Sequence, residues 1–200
     1  MTQHSIVKIT SSNDDLLERA LSLFTKVLGA GLYTKAALKQ IADAEDSLVT
    51  GCLEGAELAG AAMAGRLKSA GVSFYSPFGK DAIELLNGNI IGVLQNSAVE
   101  ESHRGKGVGT ALLSNRISWL TQTGCDYAVG LTWLHGKTTQ SDHLYKSAGF
   151  QKVGPNVLEF FKSLSQRTGM HCPYCGFPCT CSAAMYAKKL NAKKGARDAK

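Results

Sequence analysis

The stretch from Ile90 to Leu120 limits what this chain can fold into more than any other. An apolar run, Ile90 to Val99, ends at Glu100-Glu101-Ser102-His103. Arg104-Gly105-Lys106-Gly107-Val108-Gly109 then leads into Thr110-Ala111-Leu112-Leu113. The run reads as a strand, and Val108, Leu112, Leu113, Ile117 and Leu120 are spaced for one buried helical face. A strand that turns through bare glycines into a helix brings several backbone amides to the positive end of the helix dipole. That arrangement grips an anion such as a pyrophosphate, and it requires a sheet on one side of the loop and a packed helix on the other.

Nucleotide loops of other kinds fit poorly. A dinucleotide-binding loop sits near the start of a strand–helix–strand unit, with an acidic residue about 20 positions further on. Here the loop lies past mid-chain, and the strand before it ends in Ala98-Val99 with no acid to hold a ribose. A Walker A loop needs Gly-Lys-Ser/Thr after its last glycine, and Gly109-Thr110 lacks the lysine.

The flanking sequence predicts a strand at 5–10, a helix from Asp14 to Leu28, a second from Thr34 to Ala44, and a hairpin from Leu48 to Leu67 turning at Glu54-Gly55-Ala56-Glu57. Residues 68–89 show only a turn at Ser76-Pro77-Phe78-Gly79 and one or two helical turns from Lys80 to Leu86. After the central helix, a strand is expected at Asp126–Trp133, a helix at Ser141–Ala148, and short strands at Phe150–Val153 and Val157–Phe161. This order implies an α/β fold with a mixed sheet and helices on both faces.

Two motifs in this order resemble the GNAT superfamily of acyl-coenzyme A-dependent N-acetyltransferases. Arg104-Gly105-Lys106-Gly107-Val108-Gly109 is similar to the family's Arg/Gln-x-x-Gly-x-Gly/Ala signature, and Leu144-Tyr145-Lys146-Ser147-Ala148-Gly149-Phe150 to its Leu-Tyr-x-x-x-Gly-Phe segment. The resemblance covers roughly residues 5–162. It implies a central mixed, mostly antiparallel sheet and acetyl-coenzyme A as donor substrate. The pyrophosphate would lie on Arg104, Gly105, Lys106, Gly107, Val108, Gly109 and Thr110, and the pantetheine arm beside the strand ending at Ala98 and Val99. It further implies that Tyr145 protonates the departing thiolate. The base that deprotonates the attacking amine varies within the family. Glu100 and Glu101 are the candidates at the strand end, and His103 and His135 could also reach the cleft.

The cysteines are unevenly placed. Cys52 and Cys125 are isolated, whereas Cys172, Cys175, Cys179 and Cys181 crowd together. His171-Cys172-Pro173-Tyr174-Cys175-Gly176 looks like a zinc knuckle, since Cys-x-x-Cys around Pro and Gly points two thiolates at one tetrahedral ion. Cys179-Thr180-Cys181 is Cys-x-Cys after a short spacer, which would make a single four-thiolate site cramped. Structural zinc on all four thiols, a site shared between chains or a thiol-redox element, and plain reduced cysteines all remain open.

Residues 188–200 carry six Lys or Arg against Asp198, so a net +5 of the chain's +6 lies in this tail and the rest is nearly neutral. From Ser182 the sequence suggests a helix with Met185, Tyr186, Lys189 and Leu190 on one strip. The chain thus divides into an acetyltransferase-like domain at 1–165, a cysteine-rich segment at 166–182 and a basic helical or disordered tail at 183–200. The tail would solubilise the chain or dock a nucleic acid or an acidic partner. No run reaches the ~20 apolar residues of a membrane helix. The first residues, MTQHSIVKIT, lack the apolar stretch of an export signal, so a cytoplasmic location and no membrane partner are expected. Oligomerisation is left open. Two functions remain in play: acetyl transfer to a primary amine of a small molecule, peptide or protein, or a non-catalytic coenzyme A-binding module whose tail does the docking.

Overall fold

The computed structural model describes residues 4–135 and 140–191. Seven strands form one sheet: β1 (Ser5–Lys8), β2 (Ser47–Glu54), β3 (Glu57–Arg66), β4 (Ile91–Val99), β5 (Tyr127–Leu134), β6 (Gln151–Val157) and β7 (Ser182–Lys189). Their order is β1-β2-β3-β4-β5-β7-β6, and only β4 and β5 run parallel. Six α-helices accompany them: α1 (Asp14–Leu28), α2 (Lys35–Asp43), α3 (Lys80–Asn87), α4 (Val108–Gln122), α5 (Gln140–Ser147) and α6 (Lys162–Thr168). The stretch 68–89, which shows little pattern in sequence, is a 3-10 helix (Ser69–Phe78) followed by α3.

The alternation of side chains along the strands builds two layers. In β3, Ala61 and Met63 join α1 and α2, while Ala62 and Ala64 face α4. In β5 and β7, Val129, Ala183, Met185 and Ala187 pack under the 3-10 helix and α3, while Ala128, Ala184 and Tyr186 pack under α4 and α5. The Ala- and Gly-rich arm of β3 has a packing reason. A Cβ at Gly60 would come within 2.8 Å of Val108 and 3.0 Å of Leu112, so small residues there let α4 lie close to the sheet.

The largest departure from the sequence reading is at the C-terminal end. The expected helix from Ser182 is β7, paired with β5 through eight residues from Leu134↔Ser182 to Tyr127↔Lys189. Alanine-rich Ser182-Ala-Ala-Met-Tyr-Ala-Lys-Lys favours a helix in isolation. Both of its faces are covered here, and small residues between two layers suit a central strand. Lys188 and Lys189 therefore belong to the sheet and not to a tail, and Lys188 Nζ donates to the Ala148 carbonyl at 2.6 Å. The basic residues Lys193, Lys194, Arg197 and Lys200 lie outside the described residues. The two strands expected at Phe150–Phe161 are one, β6, whose pairing with β7 is irregular between Val153 and Val157; Phe160 and Phe161 follow it in a turn. Among the described residues, no helix is long and apolar enough to cross a membrane.

Candidate active site

The centre of the sheet is split. β4 pairs with β5 only from Ile91↔Tyr127 to Leu94↔Gly130. One residue further on, the register of β3 against β4 passes from Ala64↔Leu94 to Ala62↔Ser97, so Gln95 and Asn96 together oppose Met63. This bulge bends β4 away from β5. Beyond it, Ser97–Val99 pair only with β3, and Leu131–Leu134 only with β7. The facing backbone edges of the two strands are left to an extended molecule that can enter between them.

Arg116 holds the bulge from beneath. Its guanidinium is 2% exposed, with Nη1 donating to the carbonyls of Met63 (3.3 Å) and Gln95 (3.5 Å) and Nε to that of Leu112 (3.2 Å). Burial pulls its pKa below the ordinary guanidinium value, and the nearby Tyr145 opposes that shift.

A cavity of about 910 Å³ runs through the split. On the α4 and α5 side it is lined by Val99, Arg104, Gly105, Gly109 and Tyr145, while Ala98 of β4 borders it from the face packed on α1. Gly105 and Gly107 adopt positive φ (74° and 89°), and Gly107 is the N-terminal cap of α4. The first amides of α4 therefore have no helical acceptor, and they open at the cavity edge. Two loop residues do other work. Val108 is buried against Cys52, Ala59, Ala62 and Leu112, and the Lys106 carbonyl lies 2.8 Å from His4 Nε2. Thr110 is exposed on the first turn.

Tyr145 is 5% exposed, lies between Phe150 and Tyr186, and reaches the cavity wall. Burial raises its pKa above the usual phenol value, and the charge of Arg116 works against that rise. A neutral, protonated hydroxyl is thus kept at the point where the strands part.

The opposite side of the cavity is aromatic. Tyr33, Trp133, His135, Phe161 and Tyr174 line it. Tyr33 Oη donates to Asn96 Oδ1 at 2.7 Å, tying the α1–α2 loop to the bulge, and burial raises its pKa to about 12. The buried Trp133 Nε1 has no hydrogen-bond acceptor among the described residues, leaving a donor on this wall.

Of the sequence candidates, His103 and His135 line the cavity, whereas Glu100 and Glu101 do not. Glu100 is ion-paired with Lys26 at 2.7 Å, and Glu101 is exposed in the short turn after β4. His103 is held among Ser102, Glu54 and Glu57, with Nε2 at 3.5 Å from Glu54. The sequence reading did not single out Tyr33, Asn96, Arg116 or Trp133. The only sequence trace of their role is the isolated charge of Arg116 on the apolar face of α4.

The four clustered cysteines converge on one point, their sulfurs all within 4.8 Å of one another. Cys172 and Gly176 form a two-way backbone pair (3.1 and 3.0 Å) that closes the Cys-Pro-Tyr-Cys-Gly turn, with Gly176 at φ 77°. Sulfur separations are 3.8 Å (Cys172–Cys181), 3.7 Å (Cys175–Cys179) and 3.5 Å (Cys175–Cys181). A tetrahedron of thiolates around zinc at about 2.3 Å has edges of about 3.8 Å. The short spacer is accommodated because Cys179 is drawn under the turn, its amide N–H donating to Ser165 Oγ at 2.9 Å. Amides of Tyr174 and Thr180 point at the sulfurs of Cys172 and Cys175 (3.4 and 3.2 Å). Burial pushes the Cys175 thiol up, but the Thr180 amide and side-chain hydrogen bonds from Cys172, Thr180 and Cys181 outweigh it and bring its pKa down to about 6.

The sequence profile of the acetyltransferase (GNAT) family matches residues 14–150. None of the curated proteins compared matches the chain in sequence. Among solved structures, the ribosomal-protein-S18-alanine N-acetyltransferase of Escherichia coli is similar at 15% identity and a TM-score of 0.62, over 96% of this chain and 98% of that one. NAA60 of Arabidopsis thaliana in complex with a bisubstrate analogue is similar at 15% identity and a TM-score of 0.68, over 96% and 100%. The same protein with acetyl-coenzyme A gives 14% and 0.64, over 94% and 99%. At such identities the likeness is one of fold.

Proposed function

We propose, for a chain that belongs to the acetyltransferase (GNAT) family, that it is an N-acetyltransferase moving the acetyl group of acetyl-coenzyme A directly to a primary amine held in the split between β4 and β5. One observation carries the reading: the glycine loop at the start of α4 and the hydroxyl of Tyr145 meet in a single cavity at the place where the two strands separate.

In this reading the pyrophosphate rests on the amides of residues 104–109 and the first turn of α4, with Arg104 beside it. The pantetheine arm lies along Ala98 and Val99, taking the place of a strand. The thioester carbonyl then sits at the bulge, where a backbone amide of β4 stabilises the developing oxyanion. The amine enters from the aromatic side. Its nitrogen forms a bond to the carbonyl carbon, the carbon–sulfur bond breaks, the coenzyme A thiolate takes the proton of Tyr145, and the acylated nitrogen gives up its remaining extra proton to restore the Tyr145 phenol. The ammonium must first lose a proton. We assign its acceptance to His135, an imidazole on the aromatic side, since Glu100 and Glu101 lie off the cavity wall and His103 is engaged by carboxylates. Both substrates are present together, and no covalent acyl-enzyme is needed. Cys125, buried below α4, takes no part.

The four thiols form the second part of the reading, as ligands of one structural zinc ion. Their near-tetrahedral spacing and amide hydrogen bonds support it.

Conversion of acetyl-coenzyme A to coenzyme A across a panel of primary amines tests the main reading, followed by chromatographic separation of the two so that no thiol reagent reaches the clustered cysteines. The panel includes 2-phenylethylamine, spermidine and peptides with free N-termini. Tyr145→Phe should lower kcat by about 10²–10⁴-fold with acetyl-coenzyme A affinity unchanged. Tight coenzyme A binding without release for any amine would leave a binding module in place of an enzyme.

A further inference from the structure

The four thiols do not stand apart from the cavity. Tyr174, between Cys172 and Cys175, lays its ring on the imidazole of His135 with centroids 3.5 Å apart and planes within 10°. The same ring meets Trp133 edge-on at 5.9 Å and 85°. Beneath it, the cluster of Met170, Cys172, Cys179 and Cys181 packs on Leu32, Trp133 and Phe161. The His171 amide donates to the Ala30 carbonyl at 3.1 Å, and a Cβ at Gly29 would overlap the His171 carbonyl. The loop that carries Tyr33 is therefore seated on the residues that enter the knuckle. Trp133, His135 and Phe161 on the aromatic side of the cavity thus rest on the knuckle, and the loop of Tyr33 is seated beside it.

That turn has little core of its own. Tyr174 and Phe177 are 46% and 49% exposed, and Cys175 is exposed as well. Its own bonds are one backbone pair and a few amide–sulfur contacts, each individually weak. A metal joining four thiolates supplies the cross-links that such a small element lacks. The donor side is built differently. α4 and α5 pack on β3, β4, β5 and β7 through Val108, Leu112, Leu113, Leu120 and Tyr145, with no knuckle residue in those clusters.

We infer that the zinc knuckle sets the acceptor side of the cavity, so that metal occupancy governs use of the acceptor amine and leaves acetyl-coenzyme A binding untouched. The inference rests on the acetyltransferase reading and on the zinc assignment above. It makes the metal a determinant of acceptor recognition, acting through Tyr174, His135 and Trp133 on a group that it does not itself contact.

The test uses the full chain as purified, in a Trp119→Phe background so that Trp133 is the one remaining tryptophan of two. The acceptor probe is the panel amine that gives the fastest thiol release. Elemental analysis should find one zinc per chain. Stripping it with a chelator under reducing conditions should lower kcat/KM for the amine at least tenfold and keep the acetyl-coenzyme A Kd within twofold. Trp133 emission should move to the red, and added zinc should reverse all of this. Tyr174→Ala should reproduce the loss in kcat/KM with zinc still bound, which separates the wall from general unfolding. A purified chain without zinc overturns the zinc assignment and the inference with it. A zinc-bound chain whose stripped form or Tyr174→Ala variant keeps its amine kcat/KM overturns the inference alone. A zinc-bound chain inert with every amine overturns the acetyltransferase reading, and the acceptor role of the knuckle falls with it.

Discussion

The hydroxyl of Tyr145 sits over Gly130, the last residue through which β5 pairs with β4, so closely that a Cβ at Gly130 would overlap it. The glycine is the seat of the hydroxyl. Gly130→Ala should push the phenol off the fork, costing about 1–3 kcal/mol of stability by overpacking and lowering kcat at least tenfold with acetyl-coenzyme A affinity unchanged. The double variant Gly130→Ala/Tyr145→Phe loses the nearer overlap but keeps the one with the ring Cζ, 2.6 Å from a Cβ at Gly130. It should be more stable than Gly130→Ala but less stable than full relief of the clash would make it, a non-additive cycle that thermal melts resolve.

Arg116 offers a case where stability and activity should part company. Arg116→Met leaves the carbonyls of Met63 and Gln95 unpaired, at about 1–3 kcal/mol each. It also removes the several kcal/mol spent on keeping a charge out of water. The melting temperature should therefore change little. The bulge loses its anchor and Tyr145 loses the charge that favours its phenolate, so the phenol becomes a weaker acid. A kcat lowered tenfold or more, with the alkaline limb of the pH–rate profile moved to higher pH, is the expected result. An unaltered rate would remove Arg116 from any positioning role.

The glycine-loop side of the cavity was readable in sequence because it is local. Gly105 and Gly107 supply the positive φ that turns the chain into α4, and Leu144 to Phe150 span only the end of α5 and the turn that follows it. The aromatic side was not, because Tyr33, Asn96, Trp133, Phe161 and Tyr174 come from five separate stretches that meet only across the split. β7 was misread for a related reason. Its alanines carry a helical preference, and only the two layers that close over it make a strand the better solution. The Cys179-Thr180-Cys181 spacing looked cramped for one ion because the seat of Cys179 beneath the turn depends on Ser165, which no local pattern announces.

The link between the first two helices should be acid-sensitive. Lys35 and Lys39 hydrogen-bond the carboxylate of Asp14 and hold its pKa down at about 2. A depressed carboxylate stabilises the folded chain fully above the unfolded value of 3.8 and loses that contribution as pH falls through about 2. Urea melts of the native chain and Asp14→Asn should differ at pH 7 and converge as the pH drops between about 4 and 2. Added salt should shrink the difference at pH 7, because the pair is exposed.

Tyr33 should act at the opposite end of the pH scale. Its phenol is buried against the bulge, and its pKa is raised to about 12 from an ordinary 10.0. A raised value means that the stabilisation is complete below pH 10, where neither folded nor unfolded phenol is ionised, and is lost as pH climbs towards 12. Over that interval the native chain should lose on the order of 2–3 kcal/mol relative to Tyr33→Phe, by the conversion of about 1.4 kcal/mol per pKa unit. At neutral pH the variant gives up one hydrogen bond, about 1 kcal/mol, and frees Asn96 on the bulge. The bulged backbone of β4 is then less firmly held, so kcat should fall a few-fold with acetyl-coenzyme A affinity unchanged. Alkaline melts and neutral-pH rates measured on the same pair of proteins separate the two effects. Equal loss of stability in both proteins between pH 10 and 12 would show that Tyr33 is not the buried phenol described here.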